Sequence, residues 1–411
     1  MVTDLMTALL VHGNRCLVLF KSDVSAAYRC LPVHPLWQVK QIVTVDGMRH
    51  VAHCTCFGGR GSSKDYTAFM GLVVWIAIFV KAITDLFSYI DDNFSFELEG
   101  SVLWYEHYQC YYPTKQALLL RLWDEIGLPH EQRKQEYGPV LRIIGFNVDP
   151  NAMTISMDQE DKSKLVDHVS TFIAVAPGGT RRSLRDFQQL AGWINWSLNV
   201  FPLLKPGLCT VYEKIAGKSS PHAKLHVSKG VRRDLEWFLE HVVNLSGVHV
   251  FDASDWGPDD ADAVAYGDAS SLGMGYYFPH TSHAFQSALP HDTPKETIFF
   301  FEALVVLAAV ESVVRLPTIP PRLAIFSDNM NTVNIFNSLR ANGAYNEILK
   351  SAISLLISHN ISLRVFHVPG SENVVADALS RFENMRAVAA YPHLTISSFE
   401  PPRLTLGQPK K

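Results

Sequence analysis

The chain has 411 residues, 47% hydrophobic and 18% charged, which is enough apolar side chain for ordinary cores and too much for a disordered chain. A length near 400 corresponds to about two to three domains. The formal charge is −4, so the overall balance announces no polyanionic partner, and six cysteines make no disulfide framework and point to a reducing compartment.

The opening MVTDLMTALLVHGN has neither a basic n-region nor a small-residue cleavage site, so no signal peptide is expected and the chain is read as intracellular, in cytoplasm or nucleus. RCLVLFKSD (15–23) is a short apolar run ending in charge, the pattern of a buried strand. Ala68 to Val80 is apolar and uncharged; at 13 residues it is too short for a membrane span and is expected to be a buried helix. FSYIDDNFSFEL (87–98) reads as a hairpin with its acids at the turn, and LRIIGFNVDPNAMTISM (141–157) as a second one turning at Asp149-Pro150-Asn151. Segments 183–200 and 231–244 carry helical apolar spacing, Trp193 and Trp196 being expected in the core, and 217–230 reads as a loop. Further on, 263–278 reads strand, turn, strand; 299–314 helix; 323–328 strand; and 374–382 helix, an alternation that suggests a compact α/β domain. Residues 383–411 read as an extended tail.

Charge is unevenly distributed. Residues 160–235 hold 12 Lys and Arg against 6 Asp and Glu, a local balance of +6, whereas six Asp follow between Asp252 and Asp268. By itself such a segment reads as a solvated surface; between two metal sites it could also hold a phosphate backbone.

Two carboxylate sets stand out. Asp23 ends one strand, and Asp91–Asp92 sit at a hairpin tip 68 positions later (91 − 23). Side by side, they would offer oxygen ligands to a hard divalent ion such as Mg²⁺. Asp268, Glu302, Asp328 and Asp377 lie on four separate elements, spaced by 34, 26 and 49 positions. Four converging acids repel one another unless metal ions neutralise them, and two such ions can activate water against a phosphodiester.

Tyr89-Ile90-Asp91-Asp92 resembles the Tyr-x-Asp-Asp box of reverse transcriptases, and KSDVSAAYRCLPVHP (21–35) is similar to their first palm motif. The resemblance implies Asp23, Asp91 and Asp92 as catalytic metal ligands and Tyr28 as the residue under the incoming sugar. CFGGRGSSKDYTAF (56–69) resembles the family's Phe-Gly motif without its flanking prolines, which carries over Phe57 and Gly58 as nucleotide-binding positions. In IGLPHEQRKQEYGPVLRIIGFNVDP (126–150), Lys134 falls where the family has a lysine near the leaving pyrophosphate, and Ile144-Gly145-Phe146 matches its primer-gripping hairpin. The second set is similar, element for element, to the ribonuclease H domain of retroelement polyproteins, and SENVVADALSR (371–381) is close to the wording of gypsy-like and DIRS-like retrotransposons. Asp268, Glu302, Asp328 and Asp377 are then the implied catalytic metal ligands. The family's mobile histidine before the last Asp is missing, GSEN occupying its loop, and His367 is expected to end a strand.

The fold class that follows is α/β (α+β): a right-hand polymerase palm with incomplete fingers over 1–158, a basic thumb or connection over 159–245, a ribonuclease H-like α/β domain over 246–382, and the tail. Only 22 residues precede Asp23, which suggests a truncated front. The implied activity is RNA-directed DNA polymerase with ribonuclease H, using Mg²⁺ or Mn²⁺. Its implied partners are an RNA template, a DNA primer, an RNA/DNA hybrid and deoxynucleoside triphosphates, with no membrane. Ribonuclease H activity alone, and an inert nucleic-acid-binding remnant, are the alternatives; the presence of all seven carboxylates disfavours the second. His53-Cys54-Thr55-Cys56 has no second half and is not read as a zinc site.

Overall fold

The computed structural model describes residues 16–175, 180–250, 256–290 and 298–402. The segment through Arg15, Asp252, Asp255 and the end of the tail lie outside these residues. The chain is mixed α/β and divides into two compact units, residues 1–159 with 247–253, and residues 160–246 with 254–411.

In the first unit a four-stranded antiparallel sheet is built on β1 (Leu17–Val24), which is flanked by β3 (Asp92–Leu98), itself paired in turn with β2 (Phe87–Tyr89), and on its other side by β4 (His130–Gly138). Phe20 and Val24 of β1, with Phe94 of β3, are fully or almost fully buried. Helix α1 (Ser62–Trp75) buries Ser62, Tyr66, Met70 and Val73, a single stripe at helical spacing, and continues as a π-helical turn through Val80. Helix α2 (Thr114–Ile126) ends on Gly127 at φ 71°, the left-handed cap that favours glycine.

Two expectations fail here. Ser62–Val80 forms 19 continuous helical residues, long and apolar enough to cross a membrane by length and composition, and it is not a buried helix. Leu72, Trp75, Phe79 and Val80 are exposed, because only one stripe meets the core. The 141–157 segment is also two successive hairpins: β5 (Leu141–Ile143) turns at Ile144-Gly145 into β6 (Phe146–Asp149), which turns again into β7 (Thr154–Ser156). A further strand, β8 (Val248–Val250), pairs with β7.

The second unit opens with helices α3 (Gln159–Ile173, its first residue counted with the first unit), α4 (Leu184–Ser197), α5 (Cys209–Ile215) and α6 (Lys229–Asn244). Ser183 caps α4 in a reciprocal box with Asp186. Trp193 is 40% exposed and stacks on His168, so it is not core, and Trp196 is only half-buried. Within 217–230, Lys224–His226 forms a short strand against Arg181–Ser183 rather than a plain loop.

A six-stranded sheet follows in the order β13-β12-β9-β10-β11-β14. Strands β9 (Ala263–Ala269), β10 (Gly273–Phe278) and β11 (His283–Ala288) are antiparallel neighbours; β12 (Arg322–Ser327) is parallel to β9, and β13 (Ser362–His367) to β12. His367 does end a strand. Helix α7 (Ile298–Val313) is buried on nearly every side, as its uniformly apolar sequence requires. It is followed by α8 (Met330–Ser338), α9 (Ala344–His359) and α10 (Val374–Ser380). The expected tail is partly folded: α11 (Asn384–Ala390) buries Ala387, and β14 (Thr395–Ser398) adds to the sheet edge beside β11.

The helices before the sheet are tied to it by a buried ion pair. Lys350 of α9 donates to Asp234 of α6 at 2.7 Å, with both side chains under 5% exposed. Asn346 donates to the same carboxylate and to the Pro206 carbonyl.

Candidate active sites

In the first unit, antiparallel register alone brings the early and late acids together: Asp23 of β1 lies opposite Asp92 of β3. The β2–β3 connection is the two-residue turn Ile90-Asp91, with Ile90 at φ 59°. A β-branched residue there carries backbone strain of about 1–2 kcal/mol. Burial pushes Asp91 and Asp92 above the usual carboxylate range, and the neighbouring Asp23 charge adds to both; Lys134 opposes the rise at Asp91 and Lys21 at Asp92. Asp23 Oδ1 is buried without a hydrogen-bond partner, while Oδ2 pairs with Lys134 at 3.0 Å. The register of β4 slips between Ser22 and Val24, and this bulge sets Lys134 beside Asp23. An orphaned oxygen beside two raised carboxylates suits a hard divalent cation, and Asp23, Asp91 and Asp92 are the residues that would hold it.

Tyr28 follows β1 in a short helical turn and lies edge-on to Phe57 at 4.9 Å and to Tyr66 at 5.6 Å. Phe57 is 68% exposed, and Gly58, at φ 85°, makes the turn beside it. Ile144 and Gly145 both have positive φ, as a two-residue type I′ hairpin turn demands. Phe146 is 1% exposed and belongs to the core, so its side chain is not presented to a primer; the turn itself is the half-buried, outward part. Strand β4 also carries a network that sequence reading missed. His130, its side chain 3% exposed, meets Tyr108 Oη at 2.6 Å and Asp124 at 3.1 Å, and Tyr105 donates to Asp124 at 2.6 Å. Burial holds the His130 imidazole below its usual range.

In the second unit glycines shape the site. A side chain at Gly267 would meet Val305 of α7 at 2.6 Å, and one at Gly275 would meet Leu379 of α10 at 2.5 Å, so both helices lie directly on the sheet. Asp268 pairs across the strands with Gly275, and α10 brings the Ser380 hydroxyl to donate to Asp268 at 2.6 Å. Glu302 of α7 accepts from the Ala269 N–H at 3.1 Å and from Ser327 Oγ at 3.4 Å. Asp328 follows β12, and a side chain at Gly370 would come within 3.0 Å of its carboxylate.

Carboxylate oxygens of Asp268, Glu302 and Asp328 all lie within 4.8 Å of one another. Burial raises all three: Asp268 to about 6, and Glu302, which also feels Asp268, to about 9, with Asp328 raised as well. Such a cluster fits a divalent cation, because removing protons from it without one costs electrostatic energy. Asp377 is not one of the three. Burial would raise it, but Arg381 and Arg386, each at 2.7 Å, outweigh burial and hold it below the usual range. Ser380, Ser327 and the two arginines were not singled out from the sequence; only Arg381, four residues after Asp377 on one helix, had a readable signal.

No protein-family model matches the sequence, and no curated protein matches it. Among solved structures, the chain is similar to foamy viral protease-reverse transcriptase dRH in complex with double-stranded DNA, at TM-score 0.41 and 16% identity over 88% of this chain and 59% of that one. It is similar to the foamy viral protease-reverse transcriptase in complex with an RNA/DNA hybrid, at 0.40 and 15% over 88% of this chain and 45% of that one. A third, in complex with double-stranded DNA, gives 0.40 and 15% over 86% and 68%. The chain thus spans roughly half the length of the first two.

Proposed function

We propose that this chain belongs to a retrotransposon polyprotein, copies RNA into DNA, and cleaves the RNA strand of the resulting hybrid. What carries the reading is the presence of two carboxylate constellations in one chain: Asp23 facing Asp92 beside a strained Ile90-Asp91 turn, and Asp268, Glu302 and Asp328 within 4.8 Å. Divalent ions, Mg²⁺ or Mn²⁺, would supply Lewis acidity at a phosphoryl group and a more acidic hydroxyl or water. In the first unit, Asp23, Asp91 and Asp92 hold and orient that charge, Lys134 balances Asp23, and Tyr28 on Phe57 makes a rigid aromatic wall for a sugar. In the second, Ser380, Ser327 and the Ala269 N–H fix the rotamers of Asp268 and Glu302, and Asp377 joins them when it leaves Arg381 and Arg386.

A second reading, ribonuclease activity alone, is favoured by one observation. Asp23 is already engaged by Lys134, whereas the three acids of the second unit converge without an ion-pair partner of their own among the described residues. The test uses the purified chain, Mg²⁺, deoxynucleotides and a DNA primer on a labelled RNA template, with Asp92→Asn and Asp268→Asn variants. Primer lengthening lost only in the first variant and RNA shortening lost only in the second is the expected result. RNA shortening without primer lengthening in the wild type selects the second reading, and neither activity overturns both.

A further inference from the structure

The second unit contains a cavity of about 500 Å³ that none of the seven carboxylates of the two candidate sites lines. Its wall brings Lys205, in the helical segment after α4, to Arg340, in the turn after α8, with Tyr212, Asn195, Glu213 and Asn342 completing the polar rim. A volume of that order accommodates a small organic ligand.

Three observations bear on what it would hold. First, the Lys205 and Arg340 side chains have no ion-pair or hydrogen-bond partner among the described residues. Burial, and then the Arg340 charge, hold the Lys205 ammonium below its usual range, so two like charges share a partly desolvated wall. An anion placed between them would relieve that repulsion. Second, the other groups are not those of a bare anion site. Tyr212 offers a 42% exposed ring against which a planar base can stack, and Glu213, whose Oε1 lies 3.1 Å from the Asn342 side-chain amide, offers an acceptor for sugar hydroxyls. Third, the frame is rigid. Asn346 holds the Pro206 carbonyl beside Lys205, the Asp234–Lys350 pair locks α6 to α9, and Gly207 lies so near Phe238 that a side chain there would meet it at 2.9 Å. Lys205 is therefore presented by backbone that packing fixes in place.

We propose that this cavity binds the phosphate of a nucleotide between Lys205 and Arg340, with its base on Tyr212. The phosphate can belong to a free mononucleotide or to a unit within a single strand. The site is independent of both carboxylate sets, and the proposal stands whether or not either is active.

The test is made on the full chain in EDTA, which keeps metal-dependent nucleotide binding out of the measurement. AMP, adenosine and a 5′-phosphorylated 12-mer of single-stranded DNA are titrated by calorimetry into the wild type, K205Q/R340Q and Tyr212→Ala. K214Q/K218Q removes the same charge outside the cavity and serves as control; circular dichroism verifies that each variant is folded. If AMP binds, at least tenfold tighter than adenosine and at least tenfold weaker in K205Q/R340Q and in Tyr212→Ala, the cavity takes free mononucleotides. If only the 12-mer binds, with the same losses in these two variants and not in the control, its ligand is a strand. Binding of either ligand that K205Q/R340Q leaves at wild-type strength, or weakens no more than the control does, overturns the proposal, as does absence of binding by both.

Discussion

Asp268 allows the metal-site reasoning to be tested through stability alone. Its carboxyl is 5% exposed and raised from 3.8 to about 6 by burial, with Asp328 and Asp377 adding to the rise. A shift of about two pH units corresponds to about 3 kcal/mol of charge penalty in the metal-free fold. The sign follows from proton counting. The folded state holds the proton more tightly than the unfolded chain, so stability falls as pH rises from about 4 to about 6, then levels for this group. Glu302, raised to about 9, extends the decline to higher pH. Asp268→Asn removes the charge and keeps an acceptor for Ser380, so in EDTA at pH 8 the variant should be more stable by about 3 kcal/mol. For a unit of this size that is a rise in Tm of about 6–12 °C. The assay is thermal unfolding of both proteins at pH 8 and pH 4, with and without Mg²⁺. The gap should close at pH 4, and Mg²⁺ should stabilise the wild type far more than the variant. An Asp268→Asn protein no more stable than wild type at pH 8 in EDTA would refute the argument.

Three further outcomes are expected. Asp377→Asn should abolish RNA cleavage while leaving hybrid affinity unchanged in a filter-binding assay; retained cleavage removes Asp377 from the site. Ile144→Asn places the favoured Asn-Gly pair in the type I′ turn and should stabilise the first unit by about 1 kcal/mol. If primer extension falls in the same variant, the turn contacts the primer, whereas unchanged extension confines Ile144 to a structural role. His130, held neutral by burial, contributes stability above about 6.5, the ordinary histidine value, that is lost as pH falls below it. Chemical unfolding at pH 7.5 and 5.5 should show a smaller pH effect in His130→Gln than in wild type; an equal effect removes His130 as its source.

The parts of the fold that the sequence made readable are those where one local pattern meets one partner. The alternating burial of β1 and the β2–β3 hairpin, with Asp91 in its turn and Asp92 just after it, were both visible, and register alone then set Asp23 against Asp92. The Ile144-Gly145 turn was readable only through the resemblance to the family's primer-gripping hairpin, because isoleucine resists the positive φ it adopts there and local propensity does not mark it. The run 68–80 was misread for another reason: an apolar composition does not say whether one stripe or the whole circumference is covered. Strand β14, four residues of TISS, has little signal of its own and owes its conformation to the edge of β11. The carboxylates were visible by type and order, but Asp377's capture by Arg386 depends on α11 folding back, which no spacing encodes.

The Asp234–Lys350 pair has a consequence for inheritance. The joint near residue 246 looks, from composition, like a place where one module could be exchanged for another. A recombinant whose α6 lacked the acid at position 234 would leave the buried Lys350 with Glu347, at 3.0 Å, as its remaining carboxylate, so the loss stays below the roughly 3–5 kcal/mol of a fully stranded charge. Exchange at that joint therefore favours combinations in which an acid at 234 and a lysine at 350 travel together.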